Sequence, residues 1–316
     1  MSANTSGRPV TTDRRLAKSL VAAWLPCICA AFVFLPLIGC ATSRVGERSD
    51  PLQRTVMTIA ELPVNVVKTV RPSNDRQWAP EQAVLAYAEF DGDEVTVRNI
   101  RNCVYHSADD FEVHHYDKTF RLNELESVDF IMAPFPDNPS IGHTMLSFGF
   151  EGGDHLALSV EIRKEQGEVY SPLKGFFHQY ELMYVLGDER DLIGLRANHW
   201  LNDVYVYRAR ATRTRARELF VDVLRRANKL AEEPEFYDTL TNNCTSNIVH
   251  HINNLSPNRV PLDYRSLLPG YSDELAYELG LLDTELSFEQ TKARARVNRL
   301  AYTHRESEDF STLIRR

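Results

Sequence analysis

Leu20 to Ile38 form an almost unbroken apolar run, preceded by Arg14, Arg15 and Lys18 and followed by Gly39 and Cys40. A positive segment, an apolar segment and a small residue at the end describe a secretory signal. A run of about 19 apolar residues also just suffices to cross a bilayer, so an uncleaved anchor helix is the alternative. Pro26 and Pro36 within the run and its small-residue ending favour cleavage. No second apolar run of that length follows. Residues 1–39 are therefore expected to be removed, leaving one domain on a tether.

Leu37-Ile38-Gly39-Cys40 resembles a bacterial lipobox, in which the cysteine thiol receives diacylglycerol and becomes the mature N-terminus. Two or more acyl chains on Cys40 would hold the protein stably at a membrane surface. Ala41, in place of Asp, is compatible with onward sorting to the outer membrane. The whole chain has a formal charge of −8, and cleavage would leave the remainder near −11. That balance argues against a nucleic-acid binder, which normally needs a basic stripe. Cys27 and Cys29 would leave with the signal, so only Cys40, Cys103 and Cys244 stay. These are too few for a disulfide scaffold.

Residues 40–76 are polar, contain Pro51, Pro63 and Pro72, and read as a tether with a short ordered stretch around Met57 to Val70. From Trp78 to Arg210 the pattern is mainly that of strands. Residues 84–90 and 94–100 flank Asp91-Gly92-Asp93, and residues 145–150 and 156–162 flank Glu151-Gly152-Gly153-Asp154, which predicts two hairpins. Residues 180–186 and 204–207 supply further strands, and Asp188-Glu189-Arg190 opens a short helix. After Arg210 the period changes: Leu219, Phe220, Val223, Leu224, Ala227 and Leu230 recur at helical spacing before Pro234. A second helix is expected from Asn243-Cys244 to Asn254. A third, 273–279, is expected to be capped by Ser272 and closed by Gly280. The last stretch, from about Gln290, reads as a charged helix with a frayed end. Residues 77–316 are thus one α+β domain with a charged C-terminal tail.

A catalytic thiol needs a helix N-terminus or a cation to hold it as thiolate, and a histidine to move protons. Cys244 stands where the second of these helices begins, with Ile248, Ile252 and Leu255 continuing its stripe. The unpaired backbone N–H groups around Asn243 and Thr245 would lower the thiol pKa and offer oxyanion donors. The alternatives are a small buried hydrophobe or a Cys103–Cys244 disulfide. His251 lies seven residues on, about 10 Å along a helix axis, too far to serve. His250 and His251 are therefore read as surface or packing residues. His143 precedes the 145–150 strand, and the hairpin register places it opposite residues 161–163. Glu161 is then placed to accept its second N–H. An ordinary charge pair with Arg163 is the alternative. No HExxH or CxxC occurs, which gives a metal site no support, and no cofactor motif is present.

Histidine on an early strand, a polar residue on the next, and Asn-Cys opening a later helix resemble the circularly permuted papain-like thiol fold. That fold is shared by NlpC-type peptidases and lecithin:retinol acyltransferases. Phe236 through Thr245 is similar to the nucleophile segment of the acyltransferase branch. Trp78-Ala79-Pro80-Glu81, Arg98-Asn99-Ile100-Arg101-Asn102, His143 through Phe150 and Ser159-Val160-Glu161-Ile162-Arg163 occur in order. Tyr180 through Val185, Gly187-Asp188-Glu189-Arg190-Asp191, Asn242-Asn243-Cys244-Thr245 and Leu268-Pro269-Gly270-Tyr271 complete the series. Together they resemble the N-terminal periplasmic domain of the Lnb-type lipoprotein N-acyltransferases, over about residues 78–282.

The resemblance implies Cys244 as nucleophile and His143 as general base and acid. Attack on an ester carbonyl would give a thioester, and an amine or water would then take the acyl group. The implied partner is a membrane lipid or a lipoprotein, in the periplasm-facing envelope of a Gram-negative-type bacterium. The transferases carry membrane-spanning helices after this domain, whereas residues 283–316 are charged; membrane proximity would come from lipid on Cys40. An NlpC-type cell-wall peptidase or amidase, and a catalytically inactive envelope scaffold, are the other readings. Acyl chemistry calls for an apolar groove, and both enzyme readings call for a free Cys244 thiol near His143.

Overall fold

The computed structural model describes residues 71–316 other than 170, 172, 173 and 176. The proposed signal, Cys40 and the Met57–Val70 stretch lie outside the described residues. Strands β1 (Tyr87–Asp91) and β2 (Glu94–Arg101) form the first expected hairpin around Gly92, whose φ of 59° is the left-handed turn conformation. A small ribbon, β3 (Val104–Tyr105) with β4 (Phe111–Glu112), precedes β5 (His115–Arg121) and β6 (Leu125–Phe135). The second hairpin joins β7 (Asn138–Phe150) to β8 (His155–Arg163), followed by β9 (Glu181–Gly187) and β10 (Tyr205–Arg208).

Eight strands make one mostly antiparallel sheet in the order β1-β2-β9-β8-β7-β6-β10, with β5 paired to β2. Between β9 and β10 lies α1 (Glu189–Gly194), opened by the Asp188 side chain and continued by a π-helical turn, Leu195–His199. The remaining helices are α2 (Arg213–Glu232), α3 (Cys244–Leu255), α4 (Tyr264–Leu267), α5 (Ser272–Glu278), α6 (Phe288–Ala295), α7 (Asn298–Thr303) and α8 (Phe310–Leu313). No helix among the described residues is long and apolar enough to cross a membrane.

Side-chain alternation divides the sheet into two buried faces. On one, Leu146, Phe148, Leu158, Val160, Leu182 and Leu186 pack beneath α2 and α3. On the other, Met145, Ala157, Met183 and Val185 pack beneath α1 and the C-terminal helices. Burial of each large side chain contributes about 1.5–3 kcal/mol, so helices on both sides are what hold this sheet together.

Four details depart from the sequence reading. The long strand β6 was not foreseen, because its apolar residues face both layers and blur the period of two. Ser272 lies inside α5 rather than capping it: its hydroxyl donates to Pro269 O, while Gly280, at φ 64°, does close that helix. The C-terminus is not frayed. Ala301, Phe310 and Ile314 are buried, and Arg315 donates to the buried carboxylates of Asp129 and Glu189 at 2.8 Å each. Residues 73–76, assigned to the tether, also pack on the domain: the Ser73 N–H donates to Glu181 and Asn74 Nδ2 to Leu230 O.

Removing one partner of a buried ion pair leaves the other charge uncompensated. Arg315→Met is expected to lower the unfolding free energy by about 3–5 kcal/mol, measured by urea denaturation. A loss below about 1 kcal/mol, the range of a surface pair, would show the tail to be dispensable.

Candidate active site

Cys244 is the first residue of α3, and local chemistry explains why the helix starts there. Asn243 Oδ1 accepts the Ser246 N–H at 2.8 Å, and the Ser246 hydroxyl accepts the Asn243 N–H at 2.8 Å, a reciprocal capping box. Asn243 Nδ2 donates to Thr239 O, and Asn242 Nδ2 to Phe236 O, which pins the approaching loop. The first intrahelical bond runs from Asn247 N to Asn243 O. The Cys244 and Thr245 N–H groups precede it and lie at the positive end of the helix, as expected of oxyanion donors. Cys103 and Cys244 are both unbridged, so the disulfide alternative does not apply.

Cys103 packs against Asp191, which accepts its backbone N–H at 2.8 Å. Burial, reinforced by the Asp191 charge, pushes its thiol up to about 12. It is inert by comparison with a thiol at a helix start.

His143 is tied across the hairpin, with one difference from expectation. Its Nε2 contacts the Ser159 hydroxyl at 2.6 Å, and that hydroxyl donates to Glu161 Oε1 at 2.7 Å. Glu161 thus stands behind Ser159 instead of meeting the imidazole. With the serine hydrogen on Glu161, Nε2 carries its own hydrogen and Nδ1 is the open acceptor. Arg196, from the π-helical turn, donates to the same Glu161 oxygen at 2.9 Å. Burial alone would raise the Glu161 carboxyl, but Arg196 and Arg101 hold it below the ordinary carboxylate range. Burial and the Arg196 charge push His143 down to about 3, opposed by Glu161.

The structure links His143 to Glu161 through Ser159. No hydrogen bond joins the imidazole to the thiol, whose polar contact is Thr245 Oγ1 at 3.9 Å. Alternation along β7 gives the reason. His143 shares the face of Met145 and Ser159, under α1, whereas Thr144 faces α3 and its hydroxyl lies 3.1 Å from that of Thr245. The β7–β8 ladder ends at Met145–Ser159, so the strands part beside His143.

Several residues of this region gave no signal in the sequence. Ser159 stood on the expected polar face, but its carboxylate neighbour was the more obvious acceptor. Arg196 is 35 residues from Glu161, and nothing local marks the pairing. His178 contacts Asp238 Oδ2 at 3.0 Å and stacks on Phe236, in the loop that leads to Cys244. His251 is buried between Asp222 and Tyr184, while His250 is exposed. Among the described residues no His/Cys/Asp/Glu group is arranged to hold a metal ion.

Two cavities flank α3. One, of about 330 Å³, is apolar and lined by Phe130, Leu146, Thr245, Ile248, Leu275 and Leu282, among others. The other, of about 560 Å³, is polar, with Asn242, Ser246 and His251 on its wall. The family of the Lnb N-terminal periplasmic domain matches residues 112–270, which include His143, Ser159, Glu161, Arg196 and Cys244. Comparison with curated proteins and with solved structures gives no match.

The low His143 value has a consequence for stability. Between its unfolded value, about 6.5, and its folded value of about 3, the unfolded chain binds more protons than the native one. Stability is then lost as pH falls through that window. His143→Gln keeps a donor for Ser159 but cannot titrate. Its melting temperature is expected to fall less than the wild type's between pH 6.5 and 5; parallel curves would contradict the assignment.

Proposed function

The chain belongs to the family of the Lnb N-terminal periplasmic domain, and we propose that in the envelope it performs thiol-dependent acyl chemistry through a thioester on Cys244. The observation that carries this reading is an unbridged thiol at a capped helix start, with the next residue, Thr245, lining an apolar cavity. Such a cavity suits a hydrocarbon chain, whereas a cell-wall peptide would leave it unused. The order of parts, with His143 and Ser159 on adjacent strands before a Cys-headed helix packed on the sheet, supports the permuted papain-like thiol fold. Membrane lipid or lipoprotein is the proposed substrate, and lipid on Cys40 the proposed anchor, with the outer membrane as its destination.

The thiolate would attack an ester carbonyl, forming a C–S bond, with the oxyanion received by the Cys244 and Thr245 N–H groups. The C–O bond then breaks and the alcohol leaves with a proton. Amine or water attack afterwards breaks the C–S bond and frees Cys244. His143 is the proposed proton carrier. That role requires its ring to leave Ser159 and turn through the gap where β7 and β8 part.

The His143–Ser159 bond favours a second reading, a scaffold in which the thiol has no proton carrier. Mass spectrometry of the full-length protein incubated with phosphatidylethanolamine/phosphatidylglycerol vesicles separates the two. Acyl chemistry predicts a fatty-acyl adduct that Cys244→Ala abolishes and His143→Ala slows by about 10²–10⁴-fold. A scaffold gives neither adduct nor lysophospholipid.

A further inference from the structure

On the polar flank of α3 a chain of hydrogen bonds runs from α2 to the residues that frame Cys244. Asp222 Oδ2 contacts His251 Nδ1 at 2.7 Å, and His251 Nε2 lies 2.9 Å from the Tyr184 hydroxyl on β9. That hydroxyl donates to Asn247 Oδ1 at 2.9 Å. Both Asn247 amide hydrogens go onward, to Asn242 Oδ1 at 2.9 Å and Asn243 O at 2.8 Å. Asn243 is the N-cap of α3, and Asn242 precedes it. His251, Tyr184 and Asn247 are all buried.

Counting protons along this chain gives a definite result. Asn247 uses both N–H groups as donors, so its oxygen needs the one hydrogen of Tyr184. Burial raises the Tyr184 phenol above its ordinary value, so that hydrogen stays in place. The phenol oxygen can then only accept from His251 Nε2, while Nδ1 donates to Asp222. Every contact is satisfied only when both imidazole nitrogens carry hydrogen, that is, when His251 is an imidazolium. A neutral His251 with its hydrogen on Nδ1 presents a lone pair at Nε2. Two acceptors, His251 Nε2 and Asn247 Oδ1, then compete for one phenolic hydrogen, and the loser is left buried without a donor.

We propose that the Asp222–His251–Tyr184–Asn247 chain is a proton-operated positioning element, in which protonated His251 holds the Asn242–Asn243 cap firmly and neutral His251 loosens it. The groups that bear on His251 are Asp222 and Arg226 from α2, Tyr184 from β9 and His250 from α3; Glu235 neutralises Arg226 through a paired contact at 2.6 Å. Burial pushes the imidazole below its ordinary value, with Asp222 opposing. The firm state therefore belongs to the acid side of about 6.5. His251 is a positioning residue: it reaches Cys244 through Tyr184, Asn247 and the cap. Its relevance to acyl chemistry rests on the reading of Cys244 above, but its effect on the thiol does not.

The test is the rate at which iodoacetamide labels Cys244 in the full-length protein, read on the Cys244 peptide by mass spectrometry between pH 5 and 8. The ratio of the Tyr184→Phe rate to the wild-type rate cancels the thiol's own titration. A buried acceptor left unpaired predicts that this ratio is about tenfold at pH 5 and falls towards one by pH 8. The midpoint should coincide with the His251 ring titration followed by NMR. Asp222→Asn, which removes the charge that favours the imidazolium, should move that midpoint to lower pH. A ratio that is constant with pH would mean that Tyr184 only fills space, and would overturn the proposal. So would a midpoint indifferent to Asp222→Asn. Labelling needs no acyl donor, so either outcome is independent of whether Cys244 forms a thioester.

Discussion

Adjacent residues of β7 point to opposite sides of the sheet, and the character of the candidate site follows from that alternation. Thr144 faces α3 and touches Thr245, beside the thiol, while His143 faces α1 and is tied to Ser159, Glu161 and Arg196. Both layers are buried, so a one-residue slip of register would move hydrophobic residues of both cores to the wrong side. Any joint action of imidazole and thiol must use the gap beyond Met145–Ser159, where the β7–β8 ladder has ended.

The two sides of the sheet carry different electrostatics. Under α1, Arg101, Asp191, Glu161 and Arg196 form a buried ionic cluster, with Arg101 Nε bonded to Asp191 at 2.8 Å. Desolvated charges of this kind are costly unless fully paired; here Arg196 and Arg101 keep Glu161 ionised, while burial and the Arg196 charge keep His143 neutral. Under α3 the core is hydrocarbon, and its polar groups include the capping box, the Thr144–Thr245 hydroxyl pair and the Asn247–Tyr184–His251 chain. The neighbours of Cys244 at this helix start line an apolar cavity through Thr245 and a polar one through Asn242 and Ser246. That placement suits a substrate with a hydrocarbon part and a polar part.

Much of the fold was legible in the sequence, since the signals were local. The Asp91-Gly92-Asp93 and Glu151–Asp154 turns, the stripe from Leu219 to Leu230 and the Asn243-Cys244 helix start each depend on a few neighbouring residues. What escaped depended on partners far away. Strand β6 is buried on both faces and shows no alternation. The ordered C-terminus depends on Arg315 meeting Glu189, 126 residues earlier. Hairpin register alone places Glu161 opposite His143, whereas the intervening Ser159 contact depends on how side chains lean across a parting pair of strands. His251 lies too far from Cys244 along the helix to meet it directly. Its influence runs instead through Tyr184 on β9, which no helical count could supply.

The most direct measurement is the mass of the Cys244 peptide from protein taken from its own envelope and quenched in acid. A thiol enzyme that works on acyl groups should carry, on a fraction of molecules, a fatty-acyl increment at Cys244 that neutral hydroxylamine removes. An unmodified Cys244 in every preparation would contradict it.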